Sequence, residues 1–143
     1  MAFVLDTNIF NWLVDGRLCS EDLPSPGPFF ATHLQIDEIN ATSEPERRAQ
    51  LLLKFAEVRP QVIPSESAVW DATRWDYGKW SEGAIYARVK GDLDSRNRSR
   101  ANNAKDALIG EVAIVNGYTL ITADADLAAV VEALGSHVLF FKA

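Results

Sequence analysis

Short apolar runs alternate along this chain with longer stretches in which apolar residues recur at helical spacing. Residues 2–5 form an apolar run that empties into Asp6-Thr7-Asn8, which predicts a buried strand, a loop and then a helix through residues 10–13. Residues 29–31 predict a second strand, after which Thr32 suits the N-cap of a helix running to about residue 41. Ser43 and Glu46 have capping-box spacing and Pro45 suits a first helical turn, so a helix is expected over 45–58 with Leu51, Leu52, Phe55 and Val58 on its apolar face. Val62 and Ile63 read as a short third strand. Residues 65–77 and 80–89 read as two further helices, and 92–102 as a polar loop.

The last third has the clearest pattern. A helix over 104–115, with Ala107, Leu108, Val112 and Val115 at helical spacing, stops at Asn116-Gly117. A strand over 118–122, a helix over 124–134 ended by Gly135, and a strand over 138–141 follow. Strands and helices alternating through short connections predict a parallel sheet covered on both faces. The expected fold is a three-layer α/β/α sandwich of about five strands, built as a single domain over residues 1–143.

Composition narrows the class. Apolar residues make up 48% of the 143, enough for one core without disulfides, and Cys19 stands alone, which excludes a cysteine zinc cluster and favours a reducing, cytoplasmic setting. No apolar run approaches a membrane span and residues 1–10 lack a secretory leader, so neither a membrane nor export is expected. The net charge of −6 argues against a generally cationic nucleic-acid coat. Its distribution changes the picture: residues 88–105 carry six basic and two acidic side chains, a local +4 that leaves −10 on the rest. Such a strip, with Arg96, Arg98 and Arg100 at its centre, is either a solvated loop or a local grip on a polyanion.

In sheets of this kind the functional crevice lies beyond the carboxyl ends of the strands, so polar residues just after apolar strands are the first candidates. Asp6 follows the first strand, Glu38 lies six residues after Thr32, Thr122 to Asp126 follow Leu120-Ile121, and Asp106 opens the helix that feeds the fourth strand. Alone, Asp6 and Asp124 would be helix caps, Asp106 a first-turn acid and Glu38 a solvated helix residue. Together they fall at one end of the sheet, where caps have no reason to gather. Carboxylates that share a site repel and raise each other's pKa unless a cation sits among them. Oxygen donors select a hard ion, Mg²⁺ or Mn²⁺, and the chemistry implied is phosphodiester hydrolysis.

Phe3-Val4-Leu5-Asp6-Thr7-Asn8, Thr32 with Glu38, Lys105-Asp106-Ala107-Leu108-Ile109 and Leu120-Ile121-Thr122-Ala123-Asp124 together resemble the PIN domain family of metal-dependent ribonucleases, in order and over nearly the whole chain. As a short stand-alone example the chain is most similar to the toxin of a bacterial VapBC-type toxin–antitoxin pair. The resemblance implies that Asp6, Glu38, Asp106 and Asp124 are catalytic and hold Mg²⁺ or Mn²⁺, with Asp126 assisting or substituting for Asp124. It implies that Asn8 and Thr122 support the cluster through hydrogen bonds, and that water attacks an RNA phosphate with no covalent enzyme intermediate. A homodimer and a cognate antitoxin, whose basic side chain neutralises the site, are implied as partners. The segment before Asp106 is longer than in many small relatives, so the RNA groove is expected to differ, with the arginine strip available to phosphates.

Two other functions remain open at this point. One is a PIN-like binding or scaffold domain without catalysis. The other is a different metal-dependent phosphoryl-transfer enzyme, whose aspartyl-phosphate form is disfavoured by Asn8, because no second aspartate stands two residues after Asp6. Trp70, Trp75, Tyr77 and Trp80 are expected to serve mainly in packing.

Overall fold

In a computed structural model, which describes residues 2–24, 27–63, 84–98, 100 and 102–142, five parallel strands form one sheet. The elements run β1 (Phe3–Leu5), α1 (Thr7–Asp15), β2 (Phe29–Thr32), α2 (His33–Asn40), α3 (Pro45–Val58), β3 (Gln61–Ile63), α4 (Ala84–Asn97), α5 (Asn103–Asn116), β4 (Thr119–Thr122), α6 (Ala125–Ala133) and β5 (Val138–Phe140). The strand order is β3-β2-β1-β4-β5, so the chain builds outward from β1 in one direction and then returns to build in the other. This places a topological switch point between β1 and β4, where a crevice opens at the strand ends. The expected helix over 65–77, the beginning of the one over 80–89, and Trp70, Trp75, Tyr77 and Trp80 lie outside the described residues.

Alternate residues of the central strands feed two cores. Val4 and Leu120 pack with Val89, Leu93, Leu108, Val112, Leu127 and Val131, from α4, α5 and α6. Phe3, Leu5 and Ile121 pack on the opposite face with Ile9, Phe10, Leu13, Ile39 and Leu51, from α1, α2 and α3. Side chains along a strand point to opposite faces in turn, and a parallel sheet covered by helices must be apolar on both, so β1 and β4 read as unbroken buried runs. The three-layer sandwich is the architecture that the alternation predicts.

Asp6-Thr7-Asn8 is not a loop, because α1 begins at Thr7 with Asp6 as its N-cap. Two further local expectations are corrected. Residues 92–102 are not a loop as a whole, because α4 continues to Asn97. Val89 and Leu93, four residues apart and fully buried, carry its inner stripe forward from Ile85. On its outer face Arg88 pairs with Asp92 at 3.1 Å and Lys90 with Asp94 at 2.8 Å, so the polar residues that resemble a loop are a helix surface with i,i+4 ion pairs. The second correction concerns α3. Its bounds are those expected, but Glu44 is the N-cap and makes no side-chain cap bond. With Pro45 as the first helical residue, Ser43 stands one position too early to close a box with Glu46.

Elsewhere the local chemistry acts as its residue types dictate. Gly117 ends α5 in the left-handed conformation that a glycine adopts freely, with φ of 68°. Gly110 lets α5 approach its neighbours, since a Cβ there would stand 3.1 Å from a Val131 methyl group and 3.4 Å from Val89. Among the described residues no helix is long and apolar enough to cross a membrane.

Candidate functional site

Asp6 occupies the first position beyond β1. Its backbone N–H remains in the sheet, donating to the Ile121 carbonyl at 2.9 Å, so the residue is fixed at the switch point before its side chain is considered. It caps α1: Oδ1 accepts from Thr7 N at 2.8 Å, while Oδ2 accepts from the Thr122 hydroxyl at 2.7 Å. Thr122, fully buried at the end of β4, also accepts from Asp124 N at 3.0 Å. One hydroxyl thereby ties the acid after β1 to the acid after β4. Asn8 supports the same loop, its Oδ1 accepting from Ala123 N at 3.2 Å.

Asp124 caps α6, with Oδ1 accepting from Asp126 N at 2.9 Å and Leu127 N at 3.2 Å. The capping roles expected of Asp6 and Asp124 taken singly are therefore real, and the two residues are nonetheless brought together. Glu38 projects from the second turn of α2 and Asp106 from the first turn of α5. The charges of Glu38 and Asp124 act on Asp6, and those of Asp6, Asp124 and Glu38 act on Asp106.

The resulting shifts are large. Burial pushes the Asp6 carboxyl up to about 7 against the opposing Thr122 hydrogen bond, with the charges of Glu38 and Asp124 adding to the rise. Burial raises Asp106 to about 8, reinforced by Asp6, Asp124 and Glu38 and relieved in part by Arg100. Glu38 is also raised by burial, which the Lys105 charge and the Thr7 hydroxyl oppose. Thr7 Oγ1 is buried near Glu38 but makes no well-aligned hydrogen bond among the described residues, so its hold on Glu38 is a loose polar contact.

Asp126, the alternative to Asp124, turns elsewhere: its Oδ1 lies 3.4 Å from Arg96 Nε, an ion pair between α6 and α4. The three arginines consequently differ. Arg96 belongs to α4 and is engaged by Asp126, Arg98 sits in the turn after the helix with φ of 59°, and Arg100 lies near enough to Asp106 to favour its charged form. The turn is held by Asn103, whose Nδ2 donates to Asp94 Oδ1 and to Asn97 Oδ1, both at 2.7 Å. Asn97 returns a bond to Asn103 Oδ1 at 2.9 Å.

Three participants had no assigned role in the sequence reading. Lys105 and Thr7 stand beside Asp106 and Asp6 in the sequence motifs, but Lys105 otherwise reads as part of the basic strip and Thr7 as a loop residue. Gln35 carried a signal that passed unused: it stands three residues after the N-cap Thr32, which is capping-box spacing, and the box forms.

The donors present, carboxylates beside a hydroxyl, have the hard-oxygen chemistry that suits Mg²⁺ or Mn²⁺. Among the described residues, no three His, Cys, Asp or Glu side chains are gathered into a ready-made metal cage. The candidate carboxylates are thus within electrostatic reach of Asp6 and Asp106, but spread.

No family model matches the chain, and no curated protein matches its sequence. Solved structures match it over its length. VapBC2 from Rickettsia felis, bound to a DNA fragment from their promoter, aligns with a TM-score of 0.61 at 15% identity, covering 99% of this chain and 100% of that one. VapBC-5 from Mycobacterium tuberculosis, of the VapBC family of toxin–antitoxin systems, aligns with a TM-score of 0.50 at 21% identity, covering 99% and 98%. A domain of a functionally unknown protein from Methanocaldococcus jannaschii gives 0.52 at 16% identity, covering 99% and 91%. The chain has the PIN-like α/β/α fold that its motifs predict.

Proposed function

We propose that this protein is a divalent-metal-dependent endoribonuclease and the toxin half of a toxin–antitoxin pair. The observations that support the reading are the Thr122 hydroxyl that ties Asp6 to the start of the Asp124 cap, and the rise of Asp6 to about 7 and Asp106 to about 8 through burial and the charges of neighbouring carboxylates. A fold gains no stability from such an arrangement, and a site for a dication accounts for it. The whole-chain likeness to VapBC structures supports the toxin assignment and, with it, an antitoxin partner; a homodimer is part of the same proposal.

In this reading Asp6, Glu38, Asp106 and Asp124 hold Mg²⁺ or Mn²⁺, and Asp126 is left to Arg96. The bound ion supplies positive charge for an RNA phosphate and for the water that attacks it. Thr122 holds Asp6 and the start of the Asp124 cap at a fixed separation, and Asn8 holds the intervening loop. Arg100, beside Asp106, is the strip residue best placed to meet a phosphate that enters the site. Loading the site expels the protons that Asp6 and Asp106 retain near neutrality, so metal affinity rises with pH across this range.

The test is cleavage of structured RNA by the purified protein with added Mn²⁺. Cleavage that is abolished by chelation and lost in Asp6→Asn and Asp106→Asn is expected. Absence of cleavage with Mn²⁺, or equal cleavage by Asp6→Asn, overturns the catalytic reading. The spread of the carboxylates favours one other reading, a PIN-like scaffold without catalysis, which intact antitoxin binding without Mn²⁺ binding would identify.

A further inference from the structure

The β1–β2 ladder stops early. Phe3 pairs with Phe29 and Val4 with Phe30, whereas on the other side of β1 the pairing with β4 runs on to Leu5 and Ile121. Where the ladder ends, a side chain takes its place. Gln35 Nε2 donates to the Leu5 carbonyl at 2.7 Å, and Gln35 Oε1 accepts from Thr32 N at 2.9 Å and from the Thr32 hydroxyl at 2.6 Å. The amide is fully buried, and it spans the gap between the carboxyl ends of β1 and β2 as a peptide group of a third strand would.

Its position in the chain makes the bridge more than structural filling. Leu5 immediately precedes Asp6, and Glu38 follows Gln35 by three residues on α2, so the two lie on neighbouring positions of one helix face. An amide is the side chain that offers a donor and an acceptor from one rigid end. An ionised glutamate would keep the Thr32 bonds and lose the one to Leu5, and methionine would lose both.

We propose that Gln35 is a positioning residue of the acidic site, setting the separation between Asp6 and Glu38 across the gap where the β1–β2 ladder ends. The consequence for metal affinity rests on the dication reading given above; the geometric role does not. Groups that orient ligands in this way typically contribute about 10- to 100-fold to metal affinity.

The experiment compares wild type with Gln35→Met in two arms. In the metal-free arm, crystal structures are expected to show a larger Asp6–Glu38 separation in the variant. In the loaded arm, calorimetric titration with Mn²⁺ is expected to show affinity about 10- to 100-fold weaker, with KM for RNA unchanged and kcat recovering at saturating Mn²⁺. Should Gln35→Met fail to fold, Gln35→Glu is measured in the same way above the carboxyl's own pKa. An unchanged separation together with unchanged Mn²⁺ affinity overturns the proposal. A wild-type protein that binds no Mn²⁺ overturns the dication reading instead, and the metal-free separation then decides the role of Gln35.

Discussion

Asp106 is held at a cost that depends on pH. Its ordinary carboxylate value of 3.8 is raised to about 8 in the folded protein, so between these limits the folded state binds a proton that the unfolded state has released. Metal-free stability therefore falls as pH rises from about 4 toward 8, and Asp6, raised to about 7, acts in the same direction. Asp15 and Asp94 act oppositely, since Arg47 and Lys90 respectively hold their carboxyls low, and what they contribute is present above 3.8 and lost as pH falls. Asp106→Asn isolates the first effect. Urea denaturation at a series of pH values is expected to show a shallower decline from pH 4 to 8 for the variant, and an identical slope would contradict the assignment. Thr122→Val removes the donor to Asp6 and the acceptor for Asp124 N–H inside a buried site; it is expected to cost about 1–3 kcal/mol by the same denaturation and to depress RNA cleavage.

At the scale of elements, α4 is the informative case. Leu93→Ala is expected to cost about 2–5 kcal/mol, because Leu93 is fully buried between helices and its loss leaves a cavity. Arg88→Ala, which removes an exposed ion pair from the other face of the same helix, is expected to leave the melting temperature unchanged. The contrast explains what was legible in the amino-acid pattern. The helix α3 could be placed to the residue, because Pro45 marks its start, and β1 and β4 to within one residue at their starts, because they are short, nearly unbroken apolar runs. The end of α4 was hidden by its charged outer face, which outweighs Ile85, Val89 and Leu93 in any short window. Asp6, Asp106 and Asp124 stood out as candidates because each follows a strand or opens a helix, and Glu38 because it lies six residues after the Thr32 cap. Gln35, Thr7 and Lys105 did not, since their roles depend on where the β1–β2 ladder stops and on which side chains α2 and α5 present to each other.

Across the whole molecule, charge is segregated. An acidic body bearing −10 repels RNA everywhere except near the strip at 88–105, and within that strip Arg96 is already committed to Asp126. For the proposed RNA substrate, binding is therefore expected to rest on few phosphate contacts and to weaken only gradually with salt. Arg100→Ala is expected to weaken RNA binding and to reduce the slope of log affinity against log salt by about 0.7 for a single-stranded substrate, as one lost phosphate contact requires. A slope unchanged by Arg100→Ala, measured by fluorescence anisotropy with chelator present, would remove that residue from the RNA path.

The proposed chemistry requires one site at the junction of β1, β4, α2 and α5. Its most direct measurement is anomalous scattering from crystals soaked in Mn²⁺. A peak is expected among the carboxylate oxygens of Asp6, Glu38, Asp106 and Asp124, and its loss in Asp106→Asn crystals. Full diffraction with no peak there, or a peak seated instead between Asp126 and Arg96, would contradict it.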